Sequence, residues 1–141
     1  MNQTVALPSY AGATVVVPAP GSEPGYWSGA ASAVLVDGVY WLTYRVRRPL
    51  REGRGVSVVI ARSDDGEHFV TVGKVHRDTF GAESFERPVL VQRPDGRWRL
   101  YVSCATPNSS RPLIPILLIP ASVEWSRMPH TNILPSAVHP V

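Results

Sequence analysis

Apolar residues along this chain come in short runs separated by turn-forming residues, a pattern of strands rather than helices. Residues 1–27 read as an irregular arm whose one apolar run, Thr14 to Val17, is closed by a Pro/Gly cluster from Pro18 to Gly25. From Ser32 the pattern tightens. Ala33-Val34-Leu35-Val36 is a run rich in β-branched residues, Asp37-Gly38 is a two-residue hairpin signal, and Val39 to Arg45 is the answering strand. The arginine-rich loop Arg47 to Gly55 leads to a third strand over Val56 to Ala61, a turn at Ser63-Asp64-Asp65-Gly66 and a fourth strand from His68 to about Val75. Four antiparallel strands in chain order form a meander.

After a loop from His76 to Ser84 the hairpin returns, with Arg87 to Val91, a turn at Arg93-Pro94-Asp95-Gly96, and Trp98 to Cys104. Overlaid, Val34-Leu35-Val36, Asp37-Gly38, Tyr40 and Leu42 match Val89-Leu90-Val91, Asp95-Gly96, Trp98 and Leu100. A four-stranded unit recurring at roughly 50 residues is the signature of a propeller blade, which needs neighbours to bury its faces. The expected fold is therefore all-β: an incomplete β-propeller of about two four-stranded antiparallel blades, the first over 28–84 and a partial second over 85–110, with a Pro-rich irregular tail over 111–141. In that tail Pro112, Pro115, Pro120, Pro129, Pro135 and Pro140 recur and Leu113 to Ile119 is apolar on both faces, a density of proline that a paired central strand does not accept. Two explanations are open: a loose wrap over an exposed blade edge, or, the favoured one, a departure of the reading frame from the parent sequence near Ser110.

The composition narrows the function. A hydrophobic content of 44% supports a real core, and 18% charged residues with 11 glycines and 14 prolines fit strands and turns. The formal charge of +3 is concentrated in arginines between Arg45 and Arg54, one loop rather than a basic surface, so nucleic acid is not implied. Cys104 is the single cysteine, which excludes an internal disulfide, and no His and Cys stand at metal-ligand spacing. No metal and no cofactor are expected. The amino terminus lacks a positive segment ahead of its apolar residues, and no run approaches the 18 or so apolar residues of a membrane helix. A cytoplasmic protein without a membrane partner is the expectation.

Three segments carry a resemblance: Gly29-Ala30-Ala31-Ser32-Ala33-Val34 before Asp37-Gly38 and Tyr40-Trp41-Leu42; Ser63-Asp64-Asp65-Gly66-Glu67-His68-Phe69; and Glu86-Arg87-Pro88-Val89-Leu90 before Asp95-Gly96 and Trp98. In that order they resemble the five-bladed propeller glycoside hydrolases, the group of families 32, 43, 62, 68 and 130, over about Gly25 to Ala105. The resemblance implies that the first strand of each blade lines a central funnel and that its opening residues carry the acids. Glu86 in Glu-Arg-Pro is similar to the Glu-x-Pro glutamate of family 43, a general acid, with Arg87 steering it; the plainer reading is a strand-edge glutamate paired with Arg87. The family pattern also wants an aspartate at the start of the first blade, and Gly29 to Ser32 offers none. Glycosidase chemistry needs two carboxylates roughly 5–9 Å apart, so the partner either lies outside this chain or comes from Glu83 or Asp78.

Trp27, between Gly25 and Gly29, is the better sugar-stacking platform, whereas Tyr40 and Trp98, at matching repeat positions, are expected to pack between blades. The loop from Arg45 to Arg54, Arg47 included, could clamp an anionic group bidentately, although a solvated charged loop is commoner. The Ser63 to Phe69 turn resembles a shortened sialidase Asp-box, with side chains capping the turn and Phe69 filling the core. The expected partner is a carbohydrate, with Glu86 and Glu83 in the chemistry and Arg87, Trp27, Arg47 and Asp78 in binding. As it stands, this length of chain is expected to be inactive. The alternatives are a non-catalytic carbohydrate-binding or scaffold module that self-associates through exposed blade edges, and an inactive remnant.

Overall fold

The computed structural model describes residues 9–105 and the backbone of 116–119. Seven strands follow in chain order: β1 (Trp27–Val36), β2 (Val39–Arg47), β3 (Gly55–Ser63), β4 (Val70–His76), β5 (Ser84–Gln92), β6 (Trp98–Ala105) and β7 (Ile116–Ile119). They form two antiparallel sheets, one of order β1-β2-β3-β4 and one of order β5-β6-β7. Asp37 and Gly38, at φ 50 and 78, make the tight turn that joins β1 to β2, as the Asp-Gly signal requires. Residues 9–26 contain one short 3-10 turn, Tyr10–Gly12, and no strand. Among the described residues no helix is long and apolar enough to cross a membrane.

The sheets meet through one shared core. Trp41, Val58, Ile60 and Val75 of the first sheet pack with Phe85, Leu90, Trp98, Leu100, Val102 and Cys104 of the second. Trp41 and Trp98 meet with ring centroids 5.0 Å apart and planes tilted by 45°, a favourable aromatic geometry on top of the area each ring removes from water. β5 lies across β1, β2 and β3. The approach is closest at Gly55, where a methyl group would run into the carbonyl of Phe85. Glycine is thus the residue that lets the sheets close at this point.

The pairing corrects the repeat register. In β1 the inward positions after its start are Ser32, Val34 and Val36, and in β5 they are Pro88, Leu90 and Gln92. Val34 is therefore equivalent to Leu90, not Val89, because a slip of one residue turns every side chain to the opposite face. For the same reason Tyr40 and Trp98 are not equivalent. Tyr40 is 38% exposed, with its ring over the Gly66 turn, and Trp41 takes the packing position against Trp98. Phe69 is half-buried and stands outside the shared core.

A second difference concerns 116–119. This apolar run, expected within an irregular tail, pairs antiparallel with β6 from Tyr101↔Ile116 to Trp98↔Ile119. The segment lies between Pro115 and Pro120, so none of its four backbone N–H groups is lost to proline. The tail prolines, Pro115 and Pro120 included, and Ser110 lie outside the described residues, as does any fourth strand of the second sheet.

Candidate functional site

Side chains two residues apart on a strand share a face. Trp27 and Gly29 on β1 accordingly stand beside their register partners Arg47 and Arg45 on β2. Position 29 has no side chain, and the indole uses the space: a Cβ there would lie 2.6 Å from Cζ3 of Trp27. The guanidinium carbon of Arg45 sits 4.7 Å from the indole centroid and that of Arg47 5.8 Å, both within cation–π range.

Arg45 continues the inward face of Trp41 and Thr43 and is 8% exposed. A guanidinium at that depth is costly unless matched. β5 matches it: Nη1 donates to the Phe85 carbonyl oxygen at 3.1 Å and forms an ion pair with Oε2 of Glu86. The second carboxylate oxygen of Glu86 lies 3.0 Å from the hydroxyl of Ser84, which also accepts the Gly55 N–H at 3.1 Å. The carboxylate is thereby oriented from both sheets, while 35% of the side chain stays open to solvent.

The backbone explains why Glu86 projects here. Phe85 pairs with Cys104 and Pro88 with Val102, so Glu86 and Arg87 together oppose Ser103 in a β-bulge. Pro88 has no N–H for a regular ladder, and the register shifts just before it. β1 carries the same bulge at Ala30 and Ala31 opposite Tyr44, with Ala30 at φ 52. Glu86 and Ala30 therefore hold equivalent positions in the two sheets.

The structure gathers Trp27, Arg47 and Glu86 and leaves the other expected site residues apart. Arg87 is exposed and makes no ion pair among the described residues; the cation beside Glu86 is Arg45 instead. Glu83 is exposed and lines an open cleft of about 370 Å³ with Leu50, Arg54, Arg77 and Ser84. Asp78, also exposed, lies 3.1 Å from Nδ1 of His76 and 3.3 Å from Nε of Arg77. Neither carboxylate shares a hydrogen-bond partner with Glu86. Among the described residues no three His, Cys, Asp or Glu side chains converge to hold a metal. Cys104 is buried, which pushes its thiol up to about 11, far from a nucleophile's range. Arg45 was expected only as the first residue of a loop that could clamp an anionic group, and Ser84 was not expected at all. The alternation Trp41, Thr43, Arg45 was the available signal for the first, whereas nothing local to Ser84 announces the approach of Gly55.

No protein-family model matches the chain, and neither does any curated protein. Solved structures do. The GH43_1 enzyme from Xanthomonas citri complexed with xylose superposes with a TM-score of 0.54 at 18% identity, over 65% of this chain and 28% of that one. The same enzyme complexed with xylotriose gives 0.54 at 19% identity, over 69% and 30%. The fold is an incomplete β-propeller. The chain spans less than a third of the length of these propellers, and the likeness at this identity is one of fold. The two bulges stand on the first strand of each sheet.

Proposed function

We propose that the chain is a glycoside hydrolase-like propeller unit, acting on glycosidic bonds or descended from an enzyme that did, with Glu86 as the carboxyl group that meets the sugar. The observation that carries this reading is the Glu86 bulge: a carboxylate on the first strand of a blade, oriented by Arg45 and Ser84 and open to solvent on one side. The xylose and xylotriose held by the structural neighbours make pentose saccharides the first ligands to try. If Glu86 donates the proton to the leaving oxygen, Glu86→Gln lowers turnover of xylotriose or an aryl xyloside by about 10²–10⁴-fold and leaves xylose binding in place. Wild-type turnover that is measurable and unchanged in that variant removes Glu86 from the chemistry.

A second reading, a non-catalytic carbohydrate-binding module, is favoured by Ala30. The blade-one position equivalent to Glu86 holds a methyl group, and one carboxylate cannot both protonate a leaving group and activate the attacking water. On this reading the wild-type chain binds xylose without turning over any xyloside.

A further inference from the structure

We propose that Arg47, beside the Trp27 indole, is the receptor for the carboxylate of an acidic sugar, a uronic acid unit in the saccharide that meets Glu86. The inference rests on the carbohydrate reading above and names the ligand class of the same site. Two guanidinium groups share one indole, with Arg45 at 4.7 Å and Arg47 at 5.8 Å from its centroid. Among the described residues only Arg45 has a counter-charge. The Nε of each is buried without a hydrogen-bond partner among the described residues, but Arg45 is matched through Nη1 by Glu86 and the Phe85 carbonyl, whereas Arg47, half-buried, makes no ion pair among the described residues.

A half-buried cation left without an acceptor is an unfavourable arrangement that an anionic ligand relieves. The planar fork of a guanidinium fits a planar carboxylate through two parallel hydrogen bonds. Arg45 already links the indole to Glu86, so an anion held on Arg47 adjoins the Glu86 bulge. Each carboxylate, the ligand's and the protein's, then has its own arginine, and the two like charges need not repel.

The test is calorimetric titration of the full chain with glucuronic acid, xylose and inorganic phosphate, repeated on Arg47→Gln and on Arg51→Gln, an exposed arginine of the neighbouring loop. Glucuronic acid is expected to bind about tenfold or more tightly than xylose, the scale of a charge-assisted bidentate pair. That advantage should vanish in Arg47→Gln and persist in Arg51→Gln. On the wild-type chain alone, it should shrink as salt is raised; an advantage indifferent to salt overturns the proposal. Equal affinity for the two sugars, or an advantage that survives Arg47→Gln, also overturns it. Phosphate binding as tight as glucuronate and equally dependent on Arg47 overturns the sugar assignment, leaving a simple anion site. Binding of xylose without preference sinks this inference alone, and binding of neither sugar sinks the carbohydrate reading with it.

Discussion

The indole of Trp27 occupies the volume that a side chain at position 29 would fill, and this brings two arginines to one ring. Gly29→Val should displace the ring, costing about 1–3 kcal/mol as an overpacked site does. Thermal melts report the loss, and a change in tryptophan emission that is absent in a Trp27→Phe background assigns it to this ring. Of the residues around that ring, Trp27, Arg47 and Glu86 were legible from the sequence by type and neighbours. Arg45 was legible only as the first residue of a charged loop, and its buried place on the inward face was not foreseen. Its burial follows from facing β5, and Ser84 matters only because Gly55, 29 residues earlier, comes against it.

Strands and hairpins were readable because Asp-Gly and alternating apolar residues are local signals, and each expected strand of 33–104 is present, most of them extended at one or both ends, while the fourth begins at Val70 rather than His68. The bulges were not readable, since Ala30-Ala31 and Glu86-Arg87 continue the alternation without a break. The repeat overlay slipped by one residue for another reason: it matched Val34-Leu35-Val36 with the identical triplet Val89-Leu90-Val91, whereas the pairing makes Val34 the equivalent of Leu90. The Ser63 to His68 turn shows local chemistry at its clearest. Oδ1 of Asp65 accepts the N–H groups of Glu67 and His68 at 2.8 Å each, Ser63 donates its hydroxyl, and His68 Nδ1 lies 2.6 Å from Oδ2. The bonds from His68, backbone first, together with those from Glu67 and Ser63, hold the Asp65 carboxyl well below its usual range, and the Asp65 hydrogen bond raises His68. The depressed Asp65 contributes stability above about pH 4 that is lost as pH falls through its folded value. The raised His68 contributes below about pH 6.5 that is lost as pH rises through its folded value. The turn should be tightest between those limits. An NMR titration of the His68 ring should give a midpoint above the ordinary imidazole value, and Asp65→Asn should bring it back down.

Among the described residues the main core cluster is shared by both sheets, so each sheet buries that face only against the other. Trp98→Ala should cost about 3–5 kcal/mol, and the loss should appear as one transition in which strands of both sheets melt together. Two separate transitions would show blades that fold independently. The sequence announced this dependence through its repeat, because a unit that recurs as a blade needs a neighbour to bury its face. It did not announce the pairing of Ile116–Ile119 with β6, which sits between prolines that argued against any strand. The tilted contact of Trp41 with Trp98 has an optical consequence. Two indoles 5.0 Å apart and inclined at 45° couple their electronic transitions, so the docking of one blade on the next is recorded in the far-ultraviolet circular dichroism as an exciton couplet. Neither sheet generates that signal alone, and its amplitude reports how closely the two blades are joined.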